Sequence, residues 1–226
     1  MNIAQTIDHT LLKANATKAQ ITELCNQAME YKFKTVCVPT CYVALASELL
    51  KDSEVGVTTV VGFPLGNETP ASKAFQTTEA VKNGASDIDT VINIGALKDG
   101  DYELVQADIE AVVKAAKAAD AKTIVKVIIE VCYLTDEEIA KATELVVATG
   151  ADFVKTSTGF GTSGATLESV TIMKKVAGNQ IEVKAAGGIS DAKTAEAMIE
   201  AGATRLGVSK SIAIVTGQKV ENDGSY

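Results

Sequence analysis

The 226-residue chain has no tryptophan, only three prolines and a single histidine, His9. One histidine excludes most histidine-rich metal sites and leaves little room for a serine–histidine–aspartate triad. Positive charge is also scarce, because 21 Lys and Arg stand against 29 Asp and Glu, for a net charge of -8. A nucleic-acid-binding protein usually carries a basic face, so we expect no nucleic-acid partner. A local group of lysines can still bind a small anionic substrate.

The four cysteines are scattered and include no C-x-x-C pair, and no histidine lies near Cys37 and Cys41 to complete a zinc site. The chain also lacks an apolar run of the roughly 18 residues that a membrane helix needs, and it shows no secretory signal. We therefore expect a cytosolic protein with reduced thiols, with no membrane association and with neither a metal nor a cofactor.

Strand-like and helix-like segments alternate along the chain. Eight segments rich in Val and Ile are predicted strands: 6–9, 35–38, 57–61, 88–94, 123–130, 152–157, 181–185 and 205–208. Predicted helices follow most of them, at 17–31, 70–83, 102–119, 135–149, 167–176 and 191–201, with others through Leu45 and near 211–215. Thr17 is a candidate N-cap, and Thr135 with Glu138 fits a capping box.

This alternation, unbroken by any linker, favours a single (β/α)8 TIM barrel of the α/β class. We assign the barrel to residues 1–216 and a polar tail to residues 217–226. The strands are apolar throughout, as expected when helices cover a parallel sheet. An open doubly wound sheet is the alternative, but no G-x-G-x-x-G motif follows the first strand.

Lys155 stands in the middle of a short apolar strand, on the same face as Phe153 and Ser157. Burying an unpaired ammonium is costly, and a buried lysine tends to lose its proton. The resulting neutral amine is a nucleophile that condenses with carbonyls. The alternatives are a lysine that reaches solvent or one that pairs with a carboxylate. This strand alone leaves both interpretations open.

Charged residues also stand on three other predicted strands, as Asp89, Lys126 and Lys184. Barrel enzymes carry their chemistry at the carboxyl ends of the strands. Proximity of Lys155 and Lys184 would disfavour charge on one of them, and Asp89 would hold a water or a lysine and transfer protons. The alternative is a structural ion-pair network without chemistry.

Glycines follow the last two predicted strands. Gly187 and Gly188 precede a predicted helix start, and Gly207 lies just before Ser209 and Ser211. Barrels often bind phosphate with these two loops and a short helix N-terminus, so both are candidate phosphate-binding loops. Glycine is common wherever a strand turns sharply, so either loop alone is weak evidence.

Several motifs together resemble the deoxyribose-phosphate aldolase family of class I aldolases over nearly the whole chain. They are Ile7-Asp-His-Thr-Leu-Leu-Lys13, Gly62-Phe-Pro-Leu-Gly66, Asp87-Ile-Asp-Thr-Val-Ile-Asn93, Lys126-Val-Ile-Ile-Glu130, Gly150-Ala-Asp-Phe-Val-Lys-Thr-Ser-Thr-Gly159, Lys184-Ala-Ala-Gly-Gly188 and Gly202-Ala-Thr-Arg205. The resemblance implies reversible cleavage of 2-deoxy-D-ribose 5-phosphate to acetaldehyde and D-glyceraldehyde 3-phosphate, in a (β/α)8 barrel that is commonly a homodimer.

The resemblance also implies roles for individual residues. Lys155 occupies the Schiff-base position, Lys184 the position that lowers the pKa of that lysine, and Asp89 the proton-transferring position. Lys126 matches a further active-site lysine, and Tyr226 matches a C-terminal tyrosine that assists proton transfer in some members. The implied substrate-binding residues are Gly187, Gly188, Gly207, Ser209, Lys210, Thr10 and Thr158. For Thr10 the alternative is simple capping of a strand end, an alternative that applies equally to Asp8.

The chain departs from the family pattern at three places. Lys210 replaces the second serine after the last strand, Val38-Pro-Thr-Cys41 replaces a common Asn-Pro, and Phe160 replaces a lysine of some members. We interpret His9 and Cys37 as structural residues. Two rival functions remain: a phosphate-binding barrel isomerase or another class I aldolase, and a phosphosugar-binding barrel without chemistry.

Overall fold

The computed structural model describes residues 2–218 and contains a closed barrel of eight parallel strands in chain order. Its strands are β1 (Ile7–Thr10), β2 (Thr35–Val38), β3 (Gly56–Val61), β4 (Asp87–Val91), β5 (Ile124–Ile128), β6 (Phe153–Lys155), β7 (Glu182–Ala186) and β8 (Arg205–Val208). β8 pairs with β1 and closes the ring. The predicted (β/α)8 barrel is therefore confirmed, and the open doubly wound sheet is wrong.

Helices surround the barrel and connect its strands. They are α1 (Lys18–Tyr31), α2 (Val43–Leu50), α3 (Pro70–Lys82), α4 (Ile94–Asp99), α5 (Tyr102–Ala119), α6 (Asp136–Ala148), α7 (Leu167–Ala177), α8 (Ala192–Glu200) and α9 (Ser211–Thr216). Short 3-10 turns occupy Ile3–Thr6, Thr40–Tyr42 and Val131–Tyr133. Among the described residues, no helix is long and apolar enough to cross a membrane.

Local sequence signals determine several helix starts. Thr17 accepts a hydrogen bond from the amide of Gln20, whose side chain accepts one from Thr17, so α1 begins with a capping box. Thr135 and Glu138 form the same arrangement at α6. Each box satisfies amides that lack a partner inside the helix, which is why the chain turns into a helix there.

Three predicted strands are too long at their carboxyl ends. β4 stops at Val91 because Asn93 caps α4, a helix that the sequence pattern did not reveal. β5 stops at Ile128, and Glu130 takes a left-handed backbone with a φ of 54°. β6 ends at Lys155. Most of the predicted polar tail, residues 217–226, lies outside the described residues.

The main hydrophobic core lies between the barrel and its helices, where aliphatic residues of the strands pack against one face of each helix. Ile88, Val125, Val154 and Val183 are typical of it, since each is fully buried on the outer face of its strand. Residues of the opposite strand faces point into the barrel. That interior is charged, and it contains the candidate site.

Candidate active site

The barrel brings together the four charged residues that the sequence analysis selected on the middle strands. In the strand register, Asp89 of β4 lies beside Lys126 of β5, and Lys155 of β6 lies beside Lys184 of β7. All four side chains are buried. Lys155 is the last residue of β6, so its amine lies at the carboxyl end of the barrel, where barrel enzymes place their chemistry.

Asp89 is the common partner of the three lysines. Its Oδ2 accepts hydrogen bonds from Lys155 Nζ at 2.8 Å and from Lys184 Nζ at 2.7 Å, while its Oδ1 accepts one from Lys126 Nζ at 3.1 Å. Burial alone would raise the pKa of Asp89, but the three ammonium groups outweigh it and hold the pKa well below its usual range. Asp89 is therefore ionised at neutral pH.

Lys184 is held by two carboxylates. Its Nζ lies 2.5 Å from Asp8 Oδ2 as well as 2.7 Å from Asp89 Oδ2. Burial alone would lower the pKa of Lys184, but Asp8 and Asp89 raise it above its usual value. Lys184 therefore remains a cation beside Lys155, as its predicted role of disfavouring charge on Lys155 requires.

A deeper layer of charge, which was not predicted, lies below these four residues. Lys126 Nζ lies 2.6 Å from Asp87 Oδ2, and Arg205 Nη1 bridges Asp8 Oδ1 at 2.9 Å and Asp87 Oδ2 at 3.3 Å. Asp8, considered as a strand-end cap, instead belongs to this network. The available signal was position, since Asp87 and Asp89 are two apart and therefore share the inner face of β4.

A further buried lysine, Lys73 of α3, lies outside the barrel interior. Its Nζ contacts Asp108 Oδ2 at 2.5 Å and donates to the carbonyl oxygens of Gly66 and Val91, both at 2.8 Å. Lys73 thus ties the loop after β3 to the end of β4, two residues beyond Asp89. A helical position gave no sign that this lysine would be fully buried.

The candidate phosphate-binding loops lie at the ends of β7 and β8. Gly187 and Gly188 have φ of 84° and 78°, a left-handed backbone that favours glycine. A Cβ on Gly164 would lie 2.2 Å from the Gly187 backbone, so the loop after β6 packs directly on this turn. Asp191 caps α8 itself by accepting from the amide of Thr194.

The other implied substrate-binding residues occupy different surroundings. Gly207 leaves room for an active-site lysine, because a Cβ there would meet Lys184 Cε at 3.1 Å. Ser209 and Lys210 are half-buried and line a cavity of about 440 Å³ together with Thr10 and Lys13. This cavity lies between α1, where Ala19 and Gln27 line it, the end of β1 and the loop after β8.

Two predicted substrate-binding threonines use their hydroxyls within the protein. Thr10 donates to the carbonyl oxygen of Asp8 at 2.9 Å, which agrees with the capping alternative. The Thr158 hydroxyl and amide both donate to the carboxylate of Glu130, and Thr158 is buried. Tyr226 lies outside the described residues, so its predicted role stays a prediction.

An apolar wall of Leu12, Cys37, Val60 and Phe63 lines the mouth of the barrel, and Phe160 meets Phe63 edge-on with ring centroids 5.4 Å apart. Burial raises the pKa of the Cys37 thiol to about 11, so this thiol stays neutral in the wall.

His9 is also a structural residue. Both of its ring nitrogens are hydrogen-bonded, to Ser211 Oγ at 2.8 Å and to Gln27 Oε1 at 2.9 Å. Burial lowers its pKa. These contacts tie β1 to α1 and α9.

A closed (β/α)8 barrel with buried lysines at its carboxyl end is the arrangement of a barrel aldolase. Residues 2–217 match the family model described as DeoC/LacD family aldolase. The chain belongs to that family.

Three similar proteins illustrate the relationship. A deoxyribose-phosphate aldolase of Geobacillus sp. (strain WCH70) is 57% identical over 222 residues, 98% of each chain. The crystal structure of a putative deoxyribose-phosphate aldolase from Coccidioides immitis is 42% identical with a TM-score of 0.92, covering 96% of this chain and 85% of the other. A deoxyribose phosphate aldolase from Aeropyrum pernix, described as a unique tetrameric structure, is 30% identical with a TM-score of 0.88, covering 95% and 90%.

Proposed function

We propose that the chain catalyses the reversible cleavage of 2-deoxy-D-ribose 5-phosphate to acetaldehyde and D-glyceraldehyde 3-phosphate through a Schiff base on Lys155. The observation that carries the mechanism is the position of Lys155 at the end of β6, beside an ionised Asp89 and a cationic Lys184. A persistent neighbouring cation favours the neutral amine that a Schiff base needs.

In the first step the Lys155 amine attacks C1 of the open-chain aldehyde. A bond forms between Nζ and C1, and the former carbonyl oxygen leaves as water after taking up one proton from Nζ and one from solvent. The resulting iminium carries a positive charge on the same nitrogen. Asp89 Oδ2 lies beside that nitrogen, and its negative charge helps to stabilise the intermediate in the buried site.

In the second step the C2–C3 bond breaks. The electron pair moves toward the iminium and gives an enamine on Lys155, while the C3 hydroxyl loses its proton and becomes the aldehyde of glyceraldehyde 3-phosphate. Because the pKa of Asp89 is held low, Asp89 serves better by orienting a water that carries this proton than by taking it directly. Protonation of C2 and hydrolysis then release acetaldehyde.

We assign the substrate phosphate to the loops after β7 and β8. The left-handed turn at Gly187 and at the exposed Gly188 provides backbone amides that can donate to an anion, and half-buried Ser209 and Lys210 supply a hydroxyl and a cation. Gly207 acts indirectly in this assignment, since it provides the space that Lys184 occupies.

We also propose that the chain assembles as a homodimer. Several large apolar side chains are exposed, among them Phe75 at 68% and Leu65 at 65%, and exposed apolar surface of this kind often marks an interface. Light scattering coupled to size-exclusion chromatography tests this directly: a mass twice that of the 23.5 kDa chain supports it, and a monomer or tetramer contradicts it.

The reaction is tested by supplying deoxyribose 5-phosphate and measuring acetaldehyde release with a coupled dehydrogenase. We expect release from the unaltered protein and none above background from Lys155→Ala, with the far-ultraviolet circular dichroism of both alike. Cleavage of a different phosphosugar alone would favour another class I aldolase, and isomerisation without aldehyde release would favour the isomerase. Binding without any turnover would favour the phosphosugar-binding barrel.

A further inference from the structure

A loop of two residues, Ser209 and Lys210, separates the end of β8 from the first residue of α9, and both of its ends are attached to His9. In the strand register His9 pairs with Val208, the residue just before the loop. The His9 ring reaches across to Ser211, the residue just after the loop, with Nδ1 2.8 Å from Ser211 Oγ. Ser211 Oγ also lies 3.1 Å from the carbonyl oxygen of Val208. One side chain of β1 therefore closes the base of this loop.

The His9 ring is itself fixed from its other side. Its Nε2 lies 2.9 Å from Gln27 Oε1, and Gln27 Nε2 donates to Glu23 Oε1 at 2.9 Å. Because the amide nitrogen of Gln27 donates to Glu23, its oxygen accepts from His9 Nε2, which leaves Nδ1 as the acceptor in the neutral ring. The Ser211 hydroxyl then donates to Nδ1. These four side chains form a continuous chain of hydrogen bonds from α1 to α9.

The contact between His9 and Ser211 is shielded from water. His9 is 3% exposed and Ser211 is 0% exposed. The His9 ring also packs against Phe33, with ring centroids 4.9 Å apart. A buried polar atom that loses its partner has no water to replace it, so the loss of either group would favour a different position for the other.

The loop borders open space on one side. Ser209 and Lys210 line the cavity of about 440 Å³, and His9 and Gln27 form another part of its wall. A cavity offers no close-packed neighbour, so packing on that side does not fix the Ser209 hydroxyl. Its position there depends on how the ends of the loop are held.

We propose that His9 is a positioning residue that, through Ser211, holds Ser209 and Lys210 where they bind the substrate phosphate. His9 acts on the loop and not on the reacting carbon atoms. Hydrogen bonds to a phosphate weaken steeply as the donor moves away from its preferred distance and angle, so a small shift of this loop lowers phosphate affinity. This inference rests on the proposed assignment of the phosphate to the loops after β7 and β8.

The first test compares a phosphorylated with an unphosphorylated substrate in His9→Phe, which keeps the ring against Phe33 but removes both hydrogen bonds. We expect KM for deoxyribose 5-phosphate to rise about 5-fold with little change in kcat, as for the loss of one hydrogen bond. The inhibition constant of inorganic phosphate should rise by a similar factor. Cleavage of 2-deoxyribose should be unaffected. Ser211→Ala should reproduce this result.

Two amide variants separate the two ring nitrogens. His9→Asn places an amide near the position of Nδ1, so it can keep the contact with Ser211. His9→Gln places its amide near the position of Nε2, so it can keep the contact with Gln27 alone. His9→Asn should therefore restore most of the phosphate affinity, and His9→Gln should not.

A double variant tests whether the two residues act through one contact. His9→Phe and Ser211→Ala both remove the same hydrogen bond, so their combination should raise KM no further than the stronger single variant does. Multiplied effects would contradict the inference.

Thr143→Ala in α6 is the matched control, because it removes another buried hydroxyl, one that donates to the carbonyl oxygen of Ile139 at 2.8 Å. It should leave both KM values unchanged. A merely structural role for His9 would change the kinetics of both substrates alike. If His9→Phe does not fold, the comparison of Ser211→Ala with Thr143→Ala decides alone.

Two results overturn the inference: an unchanged KM for deoxyribose 5-phosphate in the folded His9 and Ser211 variants, or equal changes for 2-deoxyribose and its phosphate. If the unaltered protein does not cleave deoxyribose 5-phosphate at all, the proposed function is contradicted instead. The two failures are therefore distinguishable.

Discussion

Lys155 and Lys184 donate to the same atom, Oδ2 of Asp89, at 2.8 and 2.7 Å. A single carboxylate oxygen therefore holds two ammonium groups side by side, and Asp8 holds the second of them more tightly still. Lys184 has two carboxylates to preserve its charge, whereas Lys155 has one. This inequality is consistent with the proposal that Lys155, and not Lys184, is the amine nucleophile.

The shared carboxylate leads to the first prediction. Asp89→Asn should lower the turnover of deoxyribose 5-phosphate by at least about 100-fold, because the amide lacks the negative charge that holds Lys155 and Lys184 and that orients the water carrying the proton of the cleavage step. Steady-state kinetics on the folded variant measure the effect, and Asp52→Asn on the surface is the matched control. Turnover within a few-fold of the unaltered rate would remove Asp89 from proton transfer.

The buried Lys73–Asp108 pair leads to a prediction about stability. Lys73→Met should lower the free energy of unfolding by about 3–5 kcal/mol, because it leaves the Asp108 carboxylate buried without its cation. The double variant Lys73→Met, Asp108→Leu should lower the free energy of unfolding less than Lys73→Met alone does, because it leaves no buried carboxylate without a cation. Urea unfolding measures both variants.

A half-exposed pair provides the control for that experiment. Lys98→Met breaks the contact with Glu138, where the two side chains are 41% and 28% exposed, and should cost less than about 1 kcal/mol. If Lys73→Met and Lys98→Met lowered the free energy of unfolding equally, the proposed contribution of Lys73 to stability, through its contacts with Asp108 and with the ends of β3 and β4, would be contradicted.

The charged cluster also predicts how stability depends on acid. Burial alone would raise the pKa of Asp8, but Lys184, Lys126 and Arg205 hold it well below its usual range. Below about pH 4 the Asp8 carboxylate binds a proton in the unfolded chain but stays ionised in the folded protein. The free energy of unfolding that this carboxylate contributes above pH 4 is therefore lost as the pH falls.

Asp8→Asn isolates this contribution. Between pH 4 and pH 2 the free energy of unfolding should fall less steeply in the variant than in the unaltered protein. The difference corresponds to about one proton, or roughly 1.4 kcal/mol per pH unit. Guanidinium unfolding at a series of pH values measures the slope. Identical slopes would mean that Asp8 does not carry its charge in the folded state at low pH.

Lys210, the residue that departs from the family pattern, leads to a prediction about substrate binding. Lys210→Ala should raise KM for deoxyribose 5-phosphate about 10-fold with little change in kcat, because it removes a charge that binds the phosphate equally in the ground and transition states. The substrate 2-deoxyribose, which lacks the phosphate, is the control and should be unaffected. Equal effects on both substrates would place Lys210 outside the phosphate site.

Much of the fold could be predicted because the barrel strands are local apolar segments. Strands 35–38 and 205–208 were predicted with their observed bounds, and the N-cap at Thr17 and the capping box at Thr135 were confirmed. The errors lie at strand ends near the mouth of the barrel. There the chain leaves the sheet before the Val- and Ile-rich segment stops, as at Asn93, whose side chain caps α4.

The site was predictable where strand alternation alone determines the direction of a side chain. The four charged residues on the middle strands point inward, and the three lysines all contact the carboxylate of Asp89. They are Asp89, Lys126, Lys155 and Lys184. Asp87 was missed although strand alternation places it on the same face as Asp89, whereas Arg205 was missed because its contact with Asp8 depends on the pairing of β8 with β1, which no local pattern shows. The catalytic roles themselves stay predictions.

The most direct test of the central claim is the location of the Schiff base. The protein is incubated with deoxyribose 5-phosphate or acetaldehyde, reduced with borohydride, digested and mapped by mass spectrometry. The proposed mechanism predicts one stable adduct, on Lys155. An adduct on Lys184 or Lys126 would keep the aldolase but reverse the assigned roles, and no adduct on the folded protein would contradict the Schiff-base mechanism.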